Sequence, residues 1–268
     1  MAGNTKALRL RIKSVSSTLQ LTKAMGLVAS SKIRRANLAA QKAREYKSAL
    51  LNIVETLSSD TESLKSPYMR QNETGITRLV VIAGDRGMAG GYNANVFKMV
   101  RDIENAEILS IGKRAYDRFG GELLSSEKFD FSDAQKIAQK LCTEFLDGKF
   151  DRLGVVYTEC HSAMSQEVKI AWLLPLKKLQ DKQNTSVVFE PDCITVLNNA
   201  VKEYVAGMLV CLTRESFASE VNARRMAMDS AGKNAKQRID DLTLEYNRAR
   251  QGAITQEITE IVAGSGEM

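Results

Sequence analysis

The chain has 268 residues, 44% of them hydrophobic, and carries a formal net charge of +6 at pH 7. This length and composition suit one large or two small folded domains. No run of about 18 apolar residues occurs, so the sequence predicts no transmembrane helix.

The first 66 residues contain no proline and predict one long helix. An apolar heptad repeat runs through it over seven heptads, with Lys47 as its one charged exception. The two series of seam positions are Leu8, Val15, Thr22, Ala29, Ala36, Ala43, Leu50 and Leu57, and Ile12, Leu19, Gly26, Ile33, Ala40, Lys47 and Val54. The strict seven-residue period predicts a left-handed coiled coil, and its small central residues allow two helix backbones to approach closely.

The same segment is strongly basic. Residues 1–58 carry eleven Lys and Arg side chains against two acidic ones, Glu45 and Glu55. We expect a solvated basic face that meets an acidic protein partner. A nucleic-acid-binding stripe is the alternative, which is less favoured because the basic residues surround a coiled-coil seam and do not extend beyond it.

In the middle of the chain, short apolar runs alternate with helical patterns, which indicates an α/β domain with a largely parallel sheet. The predicted elements are strand 78–84, helix 93–104, strand 106–112, helix 113–120, helix 133–148, strand 152–160 and strand 166–175.

The last 77 residues again lack proline and carry a second apolar seam. Its positions are Met228, Gly232, Ala235, Ile239, Leu242, Tyr246, Ala249 and Ala253. The fit weakens upstream at Arg214 and Arg225, and after Ala253 the apolar stripe moves to Ile254, Ile258 and Ile261. The two ends therefore predict long helices that pair as an antiparallel coiled coil, with a Rossmann-like α/β domain inserted between them. We place the boundaries at 1–66, 67–195 and 196–268.

One glycine-rich segment, GDRGMAGGYN at residues 84–93, lies between a predicted strand and a predicted helix. Backbone N–H groups at such a turn can bind phosphate. However, no Gly-Lys-Ser/Thr ending follows, and the glycines at 84, 87, 90 and 91 do not form G-x-G-x-x-G. We interpret the segment as a structural turn; a small α/β enzyme that binds nucleotide here is an alternative.

No other constellation indicates catalysis. His161 is the only histidine, which excludes a metal site built from several histidines, and we expect no catalytic role for it alone. Asp240 and Asp241 are adjacent on a helix and point about 100° apart, so they do not form an acid–base pair. The four cysteines, at 142, 160, 193 and 211, lack metal-ligand or redox spacing. Isolated thiols and the absence of a signal-peptide pattern in the first ten residues favour a bacterial cytoplasmic chain.

Three segments resemble the gamma subunit of F-type ATP synthase. They are LTKAMGLVASSKIRRAN at residues 21–37, DRGMAGGYN at residues 85–93, and the stretch from Met228 to Gly264. They stand in the family's order and spacing, and the chain length fits. The resemblance departs at Gly26, where a charged residue is common, and at Met88 and Ala89, which replace a Leu-Cys pair. The cysteine-bearing insert of chloroplast members is not evident, so thiol control is not expected.

The resemblance implies a non-catalytic rotor shaft without cofactors or bound metal, present in one copy per complex. Its implied partners are the alpha and beta subunits of an alpha3beta3 ring, the epsilon subunit and the membrane c ring, with neither nucleic acid nor a small-molecule substrate. The implied location is the cytoplasmic face of the bacterial plasma membrane. The family's coupling contacts to the ring carry over onto Lys23, Met25, Arg250, Gln251, Thr255, Gln256 and Glu257.

Overall fold

The computed structural model describes residues 2–60, 62–70, 72–162, 165–177 and 189–265. In chain order its elements are α1 (Ala2–Ser59), two short 3-10 helices (Glu62–Lys65 and Pro67–Met69), β1 (Thr77–Ile82), α2 (Tyr92–Arg101), β2 (Ala106–Ile111), α3 (Lys113–Phe119), α4 (Phe131–Leu146), β3 (Arg152–Cys160), β4 (Gln166–Leu174) and α5 (Cys193–Ser265). Within these described ranges, none of the helices is long and apolar enough to cross a membrane.

The chain divides into two compact units. The terminal unit comprises the residues up to Ala29 together with those from Arg225 onward, and the central unit comprises Ser30–Arg224. Helices α1 and α5 each contribute residues to both units.

In the terminal unit, α1 and α5 form an antiparallel pair. Arg9 donates a hydrogen bond of 2.7 Å from its guanidinium to the Tyr246 hydroxyl, and Gly26 lies against Met228. The described seam positions of both helices are buried or half-buried here, as the heptad pattern predicts. Most of the residues that lie between seam positions along each helix are exposed, because a pair of helices buries only one stripe of each helix.

In the central unit, the sheet has the strand order β2-β1-β3-β4. Strand β1 runs parallel to both β2 and β3, and β4 pairs antiparallel with β3. The alternation of side chains along β1 sends Val80 and Ile82 to one face and Leu79 and Val81 to the other. Both faces are therefore covered, which explains why this strand is a continuous apolar run.

Different helices cover the two faces of the sheet. Residues of α4 and of the first half of α5 share the larger core with Val80 and Ile82. Residues of α2 and α3, including Val96 and Ala115, pack against the opposite face. This arrangement holds the carboxyl end of β1, where the glycine-rich segment begins, beside α5.

The predicted fold class is confirmed: a long antiparallel helix pair carries an inserted α/β domain. The predicted strands are present with ends within two residues of the observed ones. Helix α1 ends at Ser59 and α5 begins at Cys193. The division into 1–66, 67–195 and 196–268 stays a prediction.

Candidate functional site

The predicted coupling residues lie on the surface of the terminal unit. Lys23 is exposed and Met25 half-buried on α1, and the α5 group is exposed throughout. That group consists of Arg250, Gln251, Thr255, Gln256 and Glu257. Thr255 donates to the Gln251 carbonyl at 3.0 Å and Gln256 donates to Glu260 at 2.8 Å, so these bonds stay within α5. None of these geometries indicates catalysis, whereas exposed polar side chains on a rigid helix suit contacts with another protein.

The structure does not bring the two groups together. Since Arg9 lies beside Tyr246 and Gly26 beside Met228, the α1 group and the α5 group occupy different heights of the antiparallel pair. At 1.5 Å per residue the nearest members, Lys23 and Arg250, are separated by about 27 Å along the helices, and the others lie farther apart. They form two separate patches.

Large apolar side chains are exposed near the end of α5. Ile254, Ile258 and Ile261 have exposed fractions of 47%, 57% and 70%. The apolar stripe that leaves the seam after Ala253 therefore faces outward. A run of exposed apolar side chains indicates a surface that another molecule covers.

Part of the basic charge of α1 is used inside the central unit. The Glu215 side chain is only 2% exposed and lies between two of these cations, accepting from Arg44 Nε at 2.8 Å and from Lys47 Nζ at 3.3 Å. Lys32 is paired with Glu127. Lys32, Arg44 and Lys47 are therefore paired within the chain, although the Arg44 side chain is still 45% exposed, so the expected basic face is solvated only in part.

The glycine-rich segment between β1 and α2 is fixed by its own polar side chains. The Asp85 carboxylate accepts hydrogen bonds from the Ser125 hydroxyl at 2.6 Å and from the backbone N–H groups of Lys113, Ser126 and Glu127. Burial acts to raise the pKa of Asp85, but these hydrogen bonds outweigh it and hold the pKa below its ordinary value. The Asp85 carboxylate is therefore a bridge between two loops.

The backbone of the same segment presents carbonyl oxygens to a cation. Arg224 of α5 donates to the carbonyls of Arg86 and Gly87, and Asn93 accepts from the Gly84 N–H at 2.9 Å. A phosphate site needs the opposite arrangement, with several N–H groups directed at the anion. These contacts favour the structural interpretation of the segment over nucleotide binding.

One group of side chains at the end of the β3–β4 hairpin has donor atoms close enough to hold a metal ion. His161 Nε2 lies 3.2 Å from Glu159 and 3.4 Å from Glu167. Lys169 Nζ already contacts both carboxylates, at 2.5 Å and 3.4 Å. Because this ammonium neutralises the position that a metal would take, we assign no metal site here.

Sequence reasoning missed the buried carboxylates Glu215 and Glu220. Both lie in the part of α5 where the apolar seam weakens, and that weakening is the one signal that pointed to them. Lys47 at a seam position was the corresponding signal on α1.

Comparisons with known proteins identify the family. The model of a family described as ATP synthase matches residues 4–266. The chain is 36% identical to the sodium-ion-specific ATP synthase gamma chain of Acetobacterium woodii, over 99% of both chains. It is 39% identical to the ATP synthase gamma chain of Ruminococcus albus, over 98% of both.

Solved structures share the fold. A chain of the mitochondrial ATP synthase of Euglena gracilis, in an assembly of OSCP, F1 and c-ring, superposes with a TM-score of 0.73 at 18% identity, covering 100% of this chain and 95% of that one. A chain from the central stalk and c-ring of Tetrahymena thermophila mitochondrial ATP synthase gives 0.62 at 22% identity, covering 79% and 99%. Since the family model spans nearly the whole sequence and full-length relatives exceed one third identity, this chain belongs to the ATP synthase gamma chain family.

Proposed function

We propose that the chain is the central-stalk rotor subunit of an F-type ATP synthase. It couples ion flow through a membrane c ring to ATP synthesis or hydrolysis on beta subunits by turning inside an alpha3beta3 ring. The observation that carries this proposal is the paired α1 and α5 of the terminal unit, which present exposed polar and apolar side chains around a narrow seam, in a chain of this family.

In this role the chain performs no chemistry of its own. A rotor biases its partners because it makes different contacts with each of their conformational states, and the differences in contact energy shift the equilibria between states. Cofactors, metals, nucleic acid and small-molecule substrates have no part in the proposal. The chain is a non-catalytic subunit of an enzyme complex.

The proposed partners are the alpha and beta subunits, the epsilon subunit and the c ring, with one copy of the chain per complex. Solved assemblies that share the fold contain F1 and a c-ring, which supports this set. The proposed location is peripheral, on the cytoplasmic face of a bacterial plasma membrane.

The proposed coupling contacts are the two patches of the terminal unit. Lys23 and Met25 form the first, and the second consists of Arg250, Gln251, Thr255, Gln256 and Glu257. Charged contacts at such exposed positions contribute about 0.5 kcal/mol each, so they favour one rotor orientation without locking it. Weak contacts suit a surface that must be released at every step of rotation.

The test is reconstitution with alpha and beta subunits from the same organism. We expect one copy of the chain to join each alpha3beta3 ring and to change its rate of ATP hydrolysis. A matched pair of variants checks the role of the helix pair: Ala231→Pro, which breaks α5 in the terminal unit at a cost of about 3 kcal/mol, and Ala231→Ser, which keeps it. Failure of the unmodified chain to join the ring, or an equal effect of both variants, would contradict the proposal.

A further inference from the structure

A guanidinium group is among the contacts that join the glycine-rich segment to α5, beside the hydrogen bond from the Tyr92 hydroxyl to the Ser216 carbonyl. Arg224 has a side chain only 12% exposed, and its Nη2 lies 2.5 Å from Glu220 Oε1. The same guanidinium donates to the Arg86 carbonyl at 3.2 Å and to the Gly87 carbonyl at 3.3 and 3.4 Å. A planar guanidinium with five N–H donors can hold these acceptors at once, which an ammonium group cannot.

The Glu220 carboxylate, which binds Arg224, lies very close to the loop backbone at Gly84. Glu220 is 2% exposed, and a Cβ atom added to Gly84 would lie 2.7 Å from the Glu220 carboxyl carbon. A larger residue at position 84 would require the Glu220 carboxylate to move. Burial raises the pKa of Glu220, and its Oε2 atom has no hydrogen-bond partner within the described ranges. A buried carboxylate with an unused oxygen is costly to folding, so it is poorly explained by stability alone.

The loop is also fixed on its other side. The Asp85 carboxylate accepts from the Ser125 hydroxyl and from the backbone N–H groups of Ser126 and Glu127. Arg214 of α5 donates to the carbonyls of Glu127 and Phe129, and Lys32 of α1 pairs with the Glu127 carboxylate. The carboxyl edge of the sheet is thereby tied to both long helices by polar contacts.

These polar contacts are directional, whereas the burial of apolar surface in the surrounding core is not. Burial of apolar surface is non-directional, so it favours close packing without itself selecting one set of donor and acceptor positions. Hydrogen bonds and ion pairs weaken when distance or angle changes, so they oppose twisting. A set of them between the sheet and α5 resists rotation of the helix relative to the sheet.

We infer that the glycine-rich segment is a torsional joint, with Arg224 and Glu220 as positioning residues that transmit torque between the α/β sheet and α5. This inference rests on the proposed rotor function. The inference gives a mechanical role to the glycine-rich loop, which has no part in the proposed coupling contacts.

The experiment uses the assembled ATP synthase complex and the variant Arg224→Lys, with Arg225→Lys as the control. Lysine keeps the positive charge beside Glu220 but loses the simultaneous bonds to Arg86 and Gly87. Arg225 is the next residue along the helix and is exposed. A probe fixed to a cysteine at the exposed position of Lys140 on α4 reports the angular fluctuations of the rotor while the ring is locked by a non-hydrolysable nucleotide.

We expect Arg224→Lys to assemble and to hydrolyse ATP at the unmodified rate, but to show roughly twofold lower torsional stiffness, since most bonds of the guanidinium to the loop are lost. Arg225→Lys should be as stiff as the unmodified rotor. Equal stiffness of the two variants would overturn the inference, because a purely structural role changes stability and not stiffness.

If Arg224→Lys does not assemble, Glu220→Ala decides the question by the same measurement, because it removes the carboxylate that orients the Arg224 guanidinium toward Arg86 and Gly87. Stiffness equal to the control would again overturn the inference. An unmodified chain that fails to join the ring would instead contradict the rotor function itself, so the two failures are distinguishable.

Discussion

The seam between the long helices is packed differently in the two units. In the terminal unit, a Cβ atom added to Gly26 would lie 3.6 Å from the Met228 Cβ, an ordinary contact. In the central unit, one added to Gly207 would lie 2.5 Å from the Leu50 side chain. An alanine methyl group therefore fits at position 26 without movement, whereas at position 207 the Leu50 side chain would have to shift. Packing therefore restricts the sequence of the central unit more than that of the terminal unit, whose residues are available for surface contacts.

The two units also differ in how they hold charged groups. The central unit buries Glu215 between Arg44 and Lys47, whereas the terminal unit holds its Asp229–Lys233 pair at 3.5 Å with both side chains mostly exposed. A buried carboxylate depends on its partners, while an exposed pair contributes little because water screens it. Equivalent substitutions should therefore have unequal effects in the two units.

The largest expected effect is that of Gly112→Ala in the central unit. Gly112 has φ +96°, and an added Cβ atom would lie 2.0 Å from the Ala83 carbonyl oxygen. Strain and the clash with backbone together should lower the free energy of unfolding by about 4 kcal/mol or more. Chemical denaturation measures this.

Gly120→Ala is the control for that variant. Gly120 has φ +77°, but an added Cβ atom would meet nothing within 4 Å. It should cost about 1 to 2 kcal/mol from strain alone. Equal losses for the two variants would show that the clash with Ala83 is relieved by movement of the loop.

The next effect is that of Glu215→Gln. This variant leaves Arg44 and Lys47 without their carboxylate and should lower the free energy of unfolding by about 3 kcal/mol. Asp229→Asn in the terminal unit removes the acid of an exposed pair on the same helix and should change little. Urea unfolding of both variants compares the units directly, and equal losses would contradict the assignment of Glu215 as a buried partner.

The periodic parts of the molecule were predictable from the sequence, and the long-range polar contacts were not. A seven-residue repeat is a local pattern, so it predicted the seam positions from Leu8 to Leu57. A short apolar run likewise predicted strand β1. Glu215 meets Arg44 across 171 positions of the chain, and no local pattern encodes such a pairing. Lys47 in an apolar seam was a sign that an acid lay opposite, but it did not identify which one.

In the candidate site too, local features were predictable from the sequence and long-range ones were not. The outward turn of the apolar stripe at Ile254 was visible as a break in the heptad. The separation of Lys23 from Arg250 depends on the register of two helices, which single residues do not fix. The proposed torsional joint could not be inferred from the sequence, because Glu220 and Arg224 meet the loop at residues 84–87 only in the folded chain.

A smaller effect, of opposite sign, is expected for Gly26→Ala in the terminal unit. The added methyl group fits against Met228, and alanine favours a helix over glycine by about 1 kcal/mol, so the free energy of unfolding should rise by about that amount. Gly207→Ala is the matched control, since its methyl group would overlap Leu50 and should give no such gain. Thermal unfolding of the two variants separates helix propensity from packing.

Arg250→Ala should have the smallest effect on stability and the most selective effect on function. The Arg250 side chain is exposed, so its removal should leave the unfolding transition unchanged. If Arg250 is a coupling contact, the same variant should weaken ATP-driven ion pumping and ATP synthesis in the assembled complex. Arg248→Ala, exposed on the same helix and outside the proposed patch, is the control. Normal pumping and synthesis by Arg250→Ala would remove Arg250 from the coupling surface, whereas equal defects in both variants would indicate that general positive charge, and not a specific contact, supports coupling in the terminal unit.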